Sequence, residues 1–133
     1  MKKKTILFVC VENACRSQMA EGFARNLLKD DFDIYSAGSK PAGSVNPDAV
    51  VVMNEVGIDI SHRKPKGFVD LSQKAFDYVI TMGCRDTCPF VAAQHHIDWE
   101  IKDPKGKSLE SFRKVRDEIQ TKVEDFIKNV NVK

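Results

Sequence analysis

The run ILFVC, Ile6 to Cys10, restricts most tightly what this chain can fold into. Consecutive apolar residues leave no polar face, so a strand made of them must be covered on both sides. That is the condition of a central strand in a parallel sheet, where neighbouring strands are joined by long crossovers, usually helical. The chain supplies such crossovers. From Ser17 onward, Ala20, Phe23, Ala24, Leu27 and Leu28 recur at helical steps, with Glu21 near the positive end. Phe32–Ser36 is a second strand, closed by the turn-rich AGSKPAGS. Asn46 and Pro47 supply a cap and a first-turn proline for a helix that presents Ala49, Val50, Met53 and Val56 and stops at Gly57. Ser72–Phe76 is expected as a short helix leading into a strand at Tyr78–Met82. Ile97, Trp99 and Ile101 alternate with Asp98 and Glu100, which predicts a half-exposed edge strand with Trp99 packed in the core. Asp103–Pro104 breaks it, and a long helix follows from Ser108. Alternating strands and helices predict an α/β fold: a doubly wound, four-stranded parallel sheet flanked by helices, in a single domain spanning residues 1–133.

Composition narrows the function. Twenty-one basic and 19 acidic residues leave a net charge of +2, which gives no footprint for nucleic acid. The lysine runs at 2–4 and 64–66 and the pair His95–His96 are expected as solvated surface. No stretch is long enough to cross a bilayer. The opening MKKKTILFVC imitates a secretory signal, but its apolar run ends after about seven residues with no small-residue cleavage site. A cytoplasmic location is therefore expected. The four cysteines fall in two clusters, Cys10/Cys15 and Cys84/Cys88. In a cytoplasmic chain such clusters point to catalysis, redox exchange or metal binding rather than to a structural disulfide framework. The spacings lie near those of a zinc site, but zinc modules are small and loop-rich, and Cys10 ends a buried strand.

The stretch CVENACRS, residues 10–17, joins that strand to the first helix. In open parallel sheets, ligands bind beyond the carboxyl ends of the strands. Backbone N–H groups of Val11, Glu12, Asn13, Ala14 and Cys15, with the helix dipole behind them, would attract an oxyanion. Arg16 adds a planar fork able to grip two oxygens of a tetrahedral anion. The same setting suits a nucleophilic thiolate at Cys10, with Ser17 placed to donate a hydrogen bond to it. The loop has no glycine, so Asn13 is the residue best able to adopt a left-handed conformation. The residues leave open whether Cys15 is structural or a disulfide partner for Cys10.

CVENACRSQMAEGF, YSAGSKP, VNPDAV, GIDISH, DYVITMGC and KDPKG together resemble the low-molecular-weight tyrosine phosphatase family. More closely, they resemble its thioredoxin-coupled arsenate reductase branch, over nearly the whole chain. The resemblance implies Cys10 as nucleophile, Arg16 as oxyanion ligand and Asp103 as the general acid that protonates the leaving oxygen. Taken alone, Asp103–Pro104 reads as a turn marker. The arsenate-reductase branch further implies a relay of thiolate exchanges. Cys10 attacks arsenate, Cys84 attacks Cys10 as arsenite leaves, and Cys88 resolves the bond into a redox-active Cys84–Cys88 disulfide for thioredoxin or a similar dithiol protein to reduce. The alternative is a small cysteine-dependent phosphatase acting on phosphate monoesters such as phosphotyrosine, sharing Cys10, Arg16 and Asp103 but with no use for a second cysteine pair. Glu12 departs from the family pattern, where glycine is usual, and its charge is expected to disfavour highly anionic or bulky substrates. The three-residue spacing between Cys84 and Cys88 is shorter than in the best-known thioredoxin-coupled members. No cofactor is required by this chemistry. Asn13, Glu21 and Ser36 match positions that bind potassium in some relatives, and His62 matches a neighbour of that site; Glu21 also reads as a dipole partner and His62 as a surface residue. No membrane or nucleic-acid partner is implied.

Overall fold

In a computed structural model of the chain, which describes residues 3–28, 31–83 and 91–130, the apolar run forms β1 (Lys4–Cys10). The remaining elements are α1 (Arg16–Leu28), β2 (Phe32–Gly38), α2 (Pro47–Glu55), a 3-10 turn (Phe68–Asp70), β3 (Ala75–Thr81), β4 (Ala92–Asp98) and α3 (Leu109–Val130). The strands form one parallel sheet in the order β2-β1-β3-β4. The chain winds outward from β1 in one direction and then the other, as a doubly wound sheet must.

β1 shows why both faces had to be covered. Ile6, Phe8 and Cys10 enter one apolar cluster and Leu7 and Val9 a second, as the two-residue period of a strand requires. The larger cluster takes in α1, α2 and α3; the smaller is closed by Phe68, Leu71 and Phe76 around the 3-10 turn. α3 buries Phe112, Val115, Ile119, Val123 and Phe126, a stripe at three- and four-residue steps. α2 starts as its sequence dictates, with the Asn46 side chain accepting from the Asp48 N–H at 2.8 Å and Pro47 in the first turn. Its buried residues are Ala49, Val52 and Met53; Val56 is exposed, so the inward face is rotated from the expected one. Gly57 ends it at φ +83°.

Two elements differ from the sequence reading. The short helix expected at Ser72–Phe76 lies earlier, at Phe68–Asp70, where the Asp70 carboxylate accepts the Gly67 N–H at 2.9 Å. Residues from Ala75 are already strand, tied to β1 by Asp77 accepting the Thr5 N–H at 2.8 Å. The edge strand is Ala92–Asp98 rather than the alternation centred on Trp99. Trp99 donates its N–H to the Thr81 carbonyl at 2.8 Å and then the chain leaves the sheet. Trp99 packs against Phe8 in the core, and Ile101 follows it inward. Among the described residues, no helix is long and apolar enough to cross a membrane.

Candidate active site

β1 and β3 are neighbours that the chain reaches in opposite windings, so their carboxyl ends flank the switch point of the sheet. The site is built there. Cys10 is the last residue of β1, and Met82 follows β3 with its N–H on the Val9 carbonyl at 2.8 Å.

The loop after Cys10 is held from outside. The carbonyls of Val11, Glu12 and Ala14 accept N–H groups of Lys40, Ala42 and Asn46 at 2.8, 3.0 and 2.8 Å. No described peptide is cis. In a planar trans peptide the N–H points opposite to the carbonyl, so the N–H groups of Glu12, Asn13 and Cys15 turn away from that outer segment, into the loop. Asn13 makes the turn with φ +50°, as the absence of glycine requires. Gly38 is needed behind the loop, because a Cβ there would lie 2.5 Å from the Val11 carbonyl oxygen.

The polarity of the buried hydrogen bonds follows from one backbone group. The Lys66 N–H can only donate, and it donates to Asn13 Oδ1 at 2.8 Å, with Gln18 Nε2 donating to the same atom at 3.0 Å. Asn13 Nδ2 therefore faces Ser17 and donates to its Oγ at 2.7 Å. That frees the single Ser17 O–H to donate to Cys10 Sγ, 2.9 Å away. Cys10 and Cys15 are both free thiols.

Arg16 opens α1 and is buried. Its Nη1 donates to the carbonyls of Met82 at 2.7 Å and Ile101 at 3.0 Å, and Nη2 lies 3.6 Å from Asp103 Oδ2. No acidic residue occupies the first turn of α1, which leaves its positive end to an anion. Gly83 makes the arginine's position sterically feasible: it adopts φ +80°, and a Cβ on it would sit 2.4 Å from Arg16 Nη1. Asp103 is half-exposed at the rim; its Oδ1 accepts the Lys105 N–H at 3.0 Å, and Pro104 is buried behind it. Cys10, Glu12, Ala14, Cys15, Arg16 and Asp103 thus line one cavity, together with Asn46, which the sequence marked only as a helix cap, and Lys105, which it did not single out.

Cys84, which follows Gly83 in the sequence, and Cys88 lie outside the described residues. Glu21 is buried, and Ser36 Oγ donates to its Oε1, while Arg25 Nε and Arg63 Nη1 donate to Oε2 at 2.7 and 3.0 Å. With Asn13 Oδ1 also accepting two N–H groups, most of the acceptor sites that Asn13 and Glu21 would offer a potassium ion are taken by the protein's own donors. Among the described residues, no group of three or more His, Cys, Asp or Glu is placed to hold a metal. His62 is exposed, beside Asp59, and His95 lies exposed but stacked on Tyr78 at 5.0 Å.

Residues 5–133 match the family model described as low molecular weight phosphotyrosine protein phosphatase. The chain is 44% identical to arsenate reductase 1 of Staphylococcus epidermidis, covering 98% of this chain and all of that one. Among solved structures it superposes on an arsenate reductase in the phosphate-binding state with TM-score 0.86 and 39% identity, covering 96% of this chain and 99% of the other. It also superposes on a thioredoxin-dependent arsenate reductase of Corynebacterium glutamicum with TM-score 0.80 and 31% identity, over 98% of this chain and 63% of that one. The loop from Cys10 to Ser17, its buried arginine and the sheet that carries them belong to a chain that is a member of the low molecular weight phosphotyrosine protein phosphatase family.

Proposed function

We propose that this protein is an arsenate reductase that uses Cys10 as nucleophile and Cys84 and Cys88 as a redox pair. The observation that carries this reading over simple phosphate-ester hydrolysis is the attachment point of the second pair. Gly83, the residue that precedes Cys84 in the sequence, packs against Arg16 of the loop that begins at Cys10.

The loop N–H groups and the Arg16 guanidinium bind three oxygens of arsenate and aim the arsenic at Cys10 Sγ. The Ser17 hydroxyl stabilises the attacking thiolate by donating to it. The Cys10 sulfur forms a bond to As(V), and one oxygen departs as water with a proton supplied by Asp103 at the rim. The Cys84 thiolate then attacks Cys10 Sγ. A Cys10–Cys84 disulfide forms, the S–As bond breaks with its electron pair left on arsenic, and As(III) departs as arsenite. Cys88 attacks Cys84, which releases the Cys10 thiolate and leaves a Cys84–Cys88 disulfide. A dithiol protein of the thioredoxin type returns two electrons to that bond, consistent with a role in arsenical resistance in the reducing cytoplasm. Each turnover thus moves two electrons from thiols to arsenic with no cofactor. Potassium takes no part in these steps, and Arg25 and Arg63 bring positive charge to Glu21, where the resemblance implied the ion.

The test is a thiol count by mass spectrometry before and after stoichiometric arsenate, with no other reductant. Two thiols lost, arsenite released and the bond mapped to Cys84–Cys88 is the expected result. Four intact thiols without arsenite would leave the family's other chemistry, hydrolysis of phosphate monoesters such as phosphotyrosine, as the activity of Cys10, Arg16 and Asp103.

A further inference from the structure

Glu12, the residue that breaks the loop's family pattern, is not a lone charge. Both of its carboxylate oxygens accept from Lys105 Nζ, at 3.0 and 2.8 Å, across 93 residues of sequence. Lys105 is held in turn through its backbone N–H on Asp103, whose carboxylate lies 3.6 Å from Arg16. These contacts link Glu12, Lys105, Asp103 and Arg16 in one series, and all four line the cavity that includes Cys10. The space left inside is about 10 Å³, close to what one water occupies. The expectation that the charge of Glu12 disfavours highly anionic or bulky substrates takes a narrower form here: the charge is paired with Lys105, and what Glu12 contributes at the mouth is bulk tied to a partner.

The geometry points to Glu12 and Lys105 as specificity-determining residues that admit a free tetrahedral oxyanion and resist its esters. In-line attack by a thiolate places the departing group on the far side of the central atom, toward the mouth. For arsenate that group is a single oxygen, the smallest group that has to be accommodated beside Asp103 and the pair. For a monoester it carries an alkyl or aryl substituent that must part Glu12 from Lys105 to lie in the opening. The pair is partly exposed, so parting it costs no more than about a five-fold factor in binding. That is enough to bias a site whose loop grips phosphate and arsenate alike.

This inference rests on Cys10 facing a tetrahedral oxyanion, and its test reads binding without turnover. Alkylation of Cys10 by iodoacetamide, followed at the Cys10 peptide by mass spectrometry, is measured against increasing inorganic phosphate or phenyl phosphate. The ratio of the two protection constants is compared among wild type, Glu12→Gln, Lys105→Met and the charge-swapped Glu12→Lys/Lys105→Glu. Each single variant is expected to shift the ratio about two- to five-fold toward phenyl phosphate, and the swap to restore it. An unchanged ratio in both single variants overturns the inference, and they carry the test alone if the swap does not fold. Failure of phosphate to protect wild-type Cys10 at all would overturn the oxyanion site itself, a result distinct from an unchanged ratio.

Discussion

Cys15 stands next to Arg16 on the anion loop, yet it has the opposite character to a nucleophile. Burial, with the charge of Asp103 adding to it, pushes its thiol well above the usual cysteine range. The folded protein keeps this proton where the unfolded chain loses it, near pH 8.5. Above that pH the unfolded state binds fewer protons, so stability present below it is lost as pH rises, by up to about 1.4 kcal/mol per unit. Urea unfolding at pH 8, 9 and 10 checks this: stability of wild type should fall more steeply than that of Cys15→Ala, and equal slopes would refute it. Gly83→Ala tests the other tight point. Its left-handed backbone alone costs an alanine about 1–2 kcal/mol, and the new Cβ must displace Arg16. We expect a lower Tm together with weaker phosphate protection of Cys10; a variant as tightly protected as wild type would mean that Arg16 does not need that space. At this scale the sequence was most legible where the partners are close neighbours. Asn13, Ser17 and Cys10 fall within one loop, so their residue types alone suggest the contacts. Lys105 carried no such signal, because its partner lies 93 residues away and lysines are common on any surface.

Among the elements, β1 was legible from its continuous apolar run, and α1, β2 and α3 from apolar residues that recur at the spacing of their element, although Leu27 of α1 proves exposed. The alternation at Ile97, Trp99 and Ile101 misled for a definable reason. Trp99 and Ile101 point inward after the strand has ended, while the strand itself, AAQHHID, is an edge with too little buried surface to print a pattern. Helix ends are set by single side chains, and this gives α2 its vulnerability. Asn46→Ala removes the cap on the Asp48 N–H and should lower stability by about 1 kcal/mol in chemical denaturation; an undiminished midpoint would show that the backbone bond from Asn46 to Ala14 suffices. For α3, Phe112 is wholly buried in the larger core, and Phe112→Ala should cost about 3–5 kcal/mol. A loss below 1 kcal/mol would mean that the helix packs less tightly than its buried stripe indicates.

Across the whole molecule, Glu21 joins parts that the chain keeps far apart: α1 through Arg25, β2 through Ser36, and the segment before β3 through Arg63. Two guanidinium groups already supply the positive charge there, so thermal stability should be the same in potassium chloride as in choline chloride at equal ionic strength. A Tm several degrees higher in potassium would show that the ion has a place the arginines do not fill. The Met82 and Ile101 carbonyls that hold Arg16 lie 66 and 85 residues further along the chain. During synthesis, the first strand and helix therefore emerge long before these acceptors exist. The arginine fork can be aligned only when the slow, non-local pairing of β1 with β3 is complete. The nascent chain carries its nucleophile for most of its translation without a formed anion site, and competence to seize an oxyanion appears only as folding finishes.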